Sequence, residues 1–306
     1  MQMKPRVTEL SVRMAAVQVL VGIFLYVNCL LIFTFFRKEA FRRDTRYVLF
    51  AHVLFADSFM LVLTDLALLL TYFYILVPSG PCIVLCMLME ILTYCTPLTL
   101  TAMCLERYVA ICMPLRHADI STTRRRLTSM LIIWALSSVP PCIDLIVLLA
   151  SEPPHFYTEK NICRYEMMLR KQWQSYLRST LSQFYFLVIA IIIVFTYINI
   201  MAAAAAASGN NKSSTKRAQN TIILHTFQLL LCLMQLVCPF IEMAVMEIHI
   251  EVFLNLSYFD FLAFILAPRC LSPLVYGLRD EKFFLVLKYY AVCGLNKKQS
   301  PLLVVI

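Results

Sequence analysis

Long apolar stretches alternate with short polar ones along almost the whole chain. Seven of them reach the roughly 20 residues that a helix needs to cross the hydrocarbon core of a bilayer. They cover residues 14–36, 47–75, 82–113, 127–149, 180–206, 221–246 and 252–278, and a shorter amphipathic stretch follows at 280–290. Backbone groups in lipid must be hydrogen-bonded within the protein, so the spans are helices. The pattern predicts an all-α membrane protein, a bundle of seven helices with a short eighth helix.

The composition supports a membrane protein and excludes an ordinary soluble domain. The chain is 61% hydrophobic and 15% charged, whereas soluble domains have roughly 45–50% apolar and about 25% charged residues. We therefore assign the net charge of +9 to loops beside lipid head groups. Nucleic acid is not an expected partner. The first apolar stretch is too long for a signal peptide and is expected to be retained.

The distribution of basic residues predicts the orientation in the membrane. Loops after the first, third and fifth spans hold twelve Lys and Arg residues, and the loops on the opposite side hold five. Basic loops stay on the cytoplasmic side. We expect an extracellular N-terminus at residues 1–13, a bundle at 14–278, and an amphipathic helix with a cytoplasmic tail at 279–306.

Twelve cysteines are present, and most fall in the middle of spans, where a reduced thiol is a small buried hydrophobe. Only Cys82, Cys86 and Cys163 lie near the predicted outer face. A Cys82–Cys163 bond would hold the longest outer loop over the bundle, and Cys86 is the alternative partner. No cysteine pair has zinc-site spacing supported by histidine. We expect neither a metal nor a cofactor.

The third span ends in Leu-Glu-Arg-Tyr-Val-Ala-Ile-Cys-Met at residues 105–113. A charged side chain at a membrane boundary is energetically costly, so it is expected to pair with an opposite charge or to have a function. Glu106 would hold Arg107 while the bundle is closed, and helix separation would free Arg107 for a partner protein or Tyr197. The segment predicts a two-state switch. The alternative is an ordinary boundary ion pair.

Several motifs in order resemble the rhodopsin-like G-protein-coupled receptors. They are Glu106-Arg107-Tyr108, Cys82 twenty-five residues before the arginine, and Trp134 in the fourth span. Residues 109–116, Val-Ala-Ile-Cys-Met-Pro-Leu-Arg, resemble the odorant receptor branch, most closely its fish type. The resemblance covers about residues 14–290. It implies a plasma-membrane receptor, not an enzyme, that binds a small odorant and activates a heterotrimeric G protein of the olfactory stimulatory type, as a monomer or a homodimer.

The resemblance assigns roles to individual positions. The family's switch positions correspond to Glu106, Arg107, Tyr108, Tyr197, Pro239, Pro273 and Tyr276. Its polar core corresponds to Asn28, Asp57 and Ser272, where Ser272 replaces the usual asparagine. Cys293, after the eighth helix, invites palmitoylation, and an unmodified thiol is the alternative.

Arg269 departs from the family pattern, because an arginine inside a span needs a partner. We predict Asp57, the carboxylate that lines a sodium site in relatives. The guanidinium would then occupy the space of the sodium ion. In the alternative, Arg269 contacts backbone carbonyls or a water pocket.

The family's ligand cavity lies in the outer half of the bundle. Counting along the helices predicts Met89, Glu90, Thr93, Phe184, Leu187, Glu242, Met243, Tyr258, Phe261 and Leu262 as lining residues, with Asp65 and Leu69 from the second span. Glu90 and Glu242 would favour a cationic ligand such as an amine. In the alternative, they face a neighbouring helix or the basic residues Arg170, Lys171 and Arg178.

Other classes of membrane protein fit the sequence less well. A receptor for a non-odorant amine or peptide messenger would share the general motifs but not residues 109–116. Many rhodopsin-like receptors have a tryptophan two residues before the proline of span six, here Pro239. This chain lacks that tryptophan, as odorant receptors do. No His-Glu-x-x-His metal motif supports an enzyme, and no internal repeat supports a transporter.

Overall fold

The computed structural model describes residues 3–115, 122–207 and 250–272, ten residues scattered between 227 and 245, and residues 286–287. Within these ranges, five helices are long and apolar enough to cross a membrane. They are spans one to five: Met3–Arg37, Thr45–Tyr72, Ser79–Cys112, Thr123–Ser151 and Gln172–Ala207. A short helix, Glu39–Arg43, joins spans one and two. The predicted helix at 280–290 and most of the predicted sixth span lie outside the described residues.

Span seven contains a π-helical turn. It runs as an α-helix from Ile250 to Asp260, a π-helix over Phe261–Leu266, and an α-helix from Ala267 to Ser272. A π-helical turn changes the rotation of the side chains that follow it and is frequent at functional sites. Arg269 lies directly after this turn and is fully buried.

Span three lies at the centre of the described bundle and packs against spans two, four and five. Its buried surface includes Leu92, Cys95 and Leu100. Threonine hydroxyls on this span donate to carbonyls one turn back, as Thr99 does to Cys95 at 2.7 Å. These hydroxyls are therefore hydrogen-bonded within the helix.

Span five begins at Gln172, earlier than the predicted residue 180. Gln174 and Arg178 are polar and precede the predicted start of the span. Both lie instead on the helix, one turn apart, where Gln174 is 1% exposed. The predicted boundary was wrong because these polar side chains face a buried cluster rather than water.

A small lid closes one end of the bundle. Strand β1 (Leu76–Pro78) pairs antiparallel with strand β2 (Lys160–Ile162), with Leu76 opposite Ile162. Cys163 follows β2 directly and forms the disulfide with Cys82 at the start of span three. The predicted Cys82–Cys163 pairing is confirmed, and Cys86 is a buried free thiol beside it. We call this the disulfide end, and the opposite end the Arg107 end.

The free cysteines that the structure describes differ in exposure. Cys95 and Cys104 are buried, as predicted for small hydrophobic residues. Cys29 and Cys142 are exposed, so their predicted burial was wrong. An apolar span has both an inward and an outward face, and mid-span position alone does not decide between them.

Candidate functional site: a polar cluster and the receptor switch

Two buried carboxylates lie beneath the lid at the disulfide end. Glu90 on span three is 4% exposed and Asp144 on span four is 3% exposed. The Tyr165 hydroxyl from the loop lies 2.9 Å from Glu90 Oε2 and 3.2 Å from Asp144 Oδ2. Burial raises the pKa of Tyr165, so the hydroxyl keeps its proton and donates it to one carboxylate at a time.

Span five supplies the remaining partners of this cluster. Arg178 Nε lies 3.2 Å from Glu90 Oε1, and the Arg178 guanidinium stacks 3.9 Å from the centroid of the Tyr165 ring. The Gln174 side-chain amide donates to Asp144 Oδ1 at 3.3 Å. We name Glu90, Asp144, Tyr165, Gln174 and Arg178 the polar cluster. It ties the loop to spans three, four and five.

The cluster has one more negative than positive group. Arg178 is the guanidinium facing the two carboxylates, and among the described residues Asp144 has neutral donors for hydrogen-bond partners. An uncompensated charge in a low-dielectric site is strongly unfavourable. The arrangement can therefore accept a cationic group or a proton beside Asp144.

Of the two interpretations of Glu90 that the sequence left open, the structure shows the pairing with a basic residue. Arg178 forms an ion pair with Glu90. Arg170 instead pairs with Glu152 at 3.1 Å, and the Lys171 backbone amide donates to Gln174. Sequence reasoning missed Asp144, Tyr165 and Gln174 as site residues. Asp144 could have been predicted, because a carboxylate inside an apolar span is a candidate site residue by its position alone.

The other predicted ligand residues lie in three different places. Met89 and Thr93 are half-buried on span three, where the Thr93 hydroxyl donates to the Met89 carbonyl at 2.9 Å. Phe184 and Leu187 are 61% and 57% exposed, so their assignment to the cavity wall was wrong. Span five presents Ser182 inward instead, 2.8 Å from the Tyr94 hydroxyl.

The span-seven candidates pack towards spans one and two. Tyr258, Phe261 and Leu262 surround a buried group formed by Val17, Val21, Leu61 and Leu266. Asp65 accepts a hydrogen bond from the Gln18 side chain, and Leu69 is half-buried. Glu242 and Met243 lie outside the described residues. The described members of the predicted lining set therefore lie in separate parts of the bundle.

A second buried charge pair lies at the middle of the bundle. Asp57 and Arg269 are both 0% exposed, with Arg269 Nε 3.7 Å from Asp57 Oδ1. Arg269 Nη1 also donates to Gln235 Oε1 at 2.8 Å and to the Phe264 carbonyl at 3.3 Å, and Thr96 donates to Asp57 Oδ1 at 3.0 Å. Arg269 thus contacts both kinds of partner considered from the sequence, the carboxylate and a backbone carbonyl.

Asn28, the other predicted polar-core residue, is fully buried on span one. Its side-chain amide makes no hydrogen bond to any residue that the structure describes. The side chain of Ser272 is not among those described.

The predicted switch residues lie at the Arg107 end. Glu106, Arg107 and Tyr108 are all half-buried. The Tyr108 ring packs against Phe195 of span five, with ring centroids 5.5 Å apart, and Tyr197 is 38% exposed. Pro239, Pro273, Tyr276 and Cys293 fall outside the described residues. Spans three and five therefore meet at both ends, through Glu90–Arg178 and through Tyr108–Phe195.

Comparisons with known proteins agree with this arrangement. Residues 27–276 match the family described as 7 transmembrane receptor (rhodopsin family). The chain is 46% identical to Odorant receptor 131-2 of Danio rerio over 279 residues, 91% of this chain and 86% of that protein. A local match, 50% identical over 48 residues, covers 16% of this chain and 13% of growth hormone secretagogue receptor type 1 of Oryctolagus cuniculus. The chain belongs to the rhodopsin family of seven-transmembrane receptors, which are multi-pass membrane proteins and not enzymes.

Proposed function

We propose that this receptor binds a small odorant at the disulfide end and activates a heterotrimeric G protein at the Arg107 end. The similarity to Odorant receptor 131-2 over 91% of the chain supports the odorant class. The match to growth hormone secretagogue receptor type 1 covers 16% of the chain, which favours an odorant over a peptide messenger.

The proposed orientation places the disulfide end outside the cell and the Arg107 end in the cytoplasm. The Cys82–Cys163 bond supports it, because disulfides persist in oxidising compartments. The excess of basic residues in the loops at the Arg107 end supports the same orientation. The G protein would then meet the end that carries Glu106, Arg107 and Tyr108.

The observation that carries the ligand proposal is the unbalanced charge of the polar cluster. Two carboxylates face Arg178, and Asp144 has neutral hydrogen-bond partners. A ligand amine beside Asp144 would supply the missing positive charge and a charge-assisted hydrogen bond. An acidic ligand would add a third negative group. We therefore propose an amine-bearing odorant.

The proposed mechanism uses the two contacts between spans three and five. A ligand shifts a two-state equilibrium only by its difference in affinity for the two states. An amine beside Asp144 would change the balance of charge that holds Arg178 on Glu90. A movement of span five against span three would then reach Tyr108 and Phe195 at the other end.

Cyclic-AMP production tests this function in cells that co-express the receptor and an olfactory stimulatory G protein. The panel contains amines, amino acids, carboxylic acids and steroids, and surface expression is measured in parallel. We expect amines to give the strongest response. No response to a broad panel, with the receptor present at the cell surface, would contradict the odorant function.

A further inference from the structure

A cavity of about 550 Å³ opens at the Arg107 end between spans two, three and four. It lies far from the polar cluster, so the ligand proposal does not account for it, and it shares Glu106 with the predicted switch. Its volume falls within the roughly 300–1,000 Å³ of ordinary small-molecule sites. Its wall combines two chemistries, an apolar side and a basic rim.

The basic rim consists of Arg124, Arg125 and Arg126 in the first turn of span four. Arg126 Nη1 donates to the Arg43 carbonyl at 2.7 Å, which fixes its guanidinium beside the start of span two. The Arg124 and Arg125 side chains make no ion pair with any residue in the described part of the chain. Glu106 is the acidic residue of the wall, so the lining carries two net positive charges.

This concentration of positive charge favours the binding of an anion. Three cations stand at the N-terminal end of a helix, where the backbone already carries positive partial charge. An anion in the cavity would offset both contributions. Guanidinium groups bind phosphate with paired hydrogen bonds, which makes a phosphate group the matching chemistry.

The apolar side of the cavity selects among phosphate-bearing molecules. Leu49, Ala102, Leu105 and Val109 line it, and Leu105 is 39% exposed on the outer surface of the bundle. Leu127, next to the rim, is 58% exposed. A soluble phosphate would leave this apolar surface in contact with water, whereas a lipid would cover it with an acyl chain.

We propose that this cavity binds an anionic phospholipid of the membrane leaflet at the Arg107 end, the cytoplasmic leaflet in the proposed orientation. The head-group phosphate contacts Arg124, Arg125 and Arg126, and an acyl chain lies along Leu49 and Leu105. This binding is independent of the odorant, so it can hold even where the ligand proposal fails.

The test measures binding of a fluorescent short-chain phosphatidylinositol 4-phosphate to the purified full-length receptor in detergent micelles. Each basic residue near a membrane surface contributes about 1 kcal/mol to binding an anionic lipid. The double variant Arg124→Gln/Arg125→Gln should therefore weaken binding by about 30-fold. The matched control, Arg37→Gln/Lys38→Gln, removes the same charge at the same end but outside the cavity, and should change affinity less than twofold.

A second variant tests the acyl-chain position without altering charge. Val109→Trp fills the apolar side of the cavity and should weaken lipid binding severalfold, even where the arginine variant fails to fold. Equal losses in the cavity and control arginine variants would indicate non-specific attraction and overturn the proposal. Full affinity in Val109→Trp, or competition by free inositol phosphate as strong as by the intact lipid, would overturn it as well.

Discussion

At the scale of single residues, two neighbouring carboxylates meet the cost of burial in different ways. Glu90 has a full counter-charge in Arg178 and a hydrogen bond from Tyr165. Asp144 has the Gln174 amide and a share of the same Tyr165 hydroxyl. Glu90 is therefore part of the structure that holds spans three and five together, whereas Asp144 is the group that we propose a ligand contacts.

This difference predicts unequal effects on stability. Removing one partner of a buried ion pair costs about 3–5 kcal/mol, because the other charge is left unpaired. Glu90→Gln removes the carboxylate that lies within ion-pair distance of Arg178, and it should clearly lower the melting temperature of the purified receptor. Asp144→Asn removes the excess charge and should leave it unchanged or raise it. Thermal unfolding of the two variants in detergent tests this prediction. An equal fall in melting temperature in both would contradict the roles given to Glu90 and Asp144.

The pair of Asp57 and Arg269 predicts an effect of sodium. The Arg269 guanidinium lies against the carboxylate that binds sodium in relatives, and it supplies the positive charge there. The agonist response of the native receptor should be the same in sodium and in choline medium. Arg269→Ala should make it sodium-dependent. Strong sodium sensitivity of the native receptor would contradict the assignment.

At the scale of elements, the positions of spans one to five were predictable, but their ends and rotations were not. Span one begins at Met3 and span five at Gln172, before the predicted residues 14 and 180. Hydropathy alone located spans one to five, because a bilayer requires a minimum apolar length. It misplaced Phe184 and Leu187, which are exposed, while Ser182 points inward. Lipid is as apolar as a leucine side chain, so apolar periodicity does not distinguish a lipid face from a core face.

Two other features were not predicted from the sequence. The strands β1 and β2 are three residues each, too short for an alternating pattern, and the adjacent disulfide holds them together. The polar cluster depends on Gln174 and Arg178 being helical, which their low hydropathy argued against. The disulfide and the Asp57–Arg269 contact were predictable because covalent and charge partners are few inside a membrane protein.

The lid predicts a specific dependence on the disulfide. Cys163 precedes Tyr165 by two residues, so the bond positions the hydroxyl that bridges Glu90 and Asp144. Losing a native disulfide typically costs about 2–5 kcal/mol. Cys82→Ser should lower the melting temperature and weaken the odorant response.

Cys86→Ser is the matched control, because the Cys86 thiol is buried nearby but forms no disulfide. It should lower the melting temperature less than Cys82→Ser, and its melting temperature should still fall on addition of a reductant. A melting temperature of Cys82→Ser equal to that of the native receptor would show that the bond does not hold the lid.

At the scale of the whole molecule, span three connects the two functional ends. Glu90 lies near its disulfide end and Glu106, Arg107 and Tyr108 near the other, and span five contacts both regions. The buried Asp57–Arg269 pair lies between them. In the proposed mechanism, a ligand bound beneath the lid changes the Arg107 end by moving span five against span three.

The central claim is that Asp144 receives the amine of an odorant. The most direct measurement is the amine concentration that gives half-maximal cyclic-AMP production, compared at equal surface expression among the native receptor, Asp144→Asn and the control Glu152→Gln, whose carboxylate pairs with Arg170 outside the polar cluster. We predict that Asp144→Asn raises this concentration by about tenfold or more, since charge-assisted hydrogen bonds contribute roughly 1.5–3 kcal/mol, and that Glu152→Gln changes it less than twofold. An unchanged amine response in Asp144→Asn, or a native receptor that responds to acids and not to amines, would contradict it.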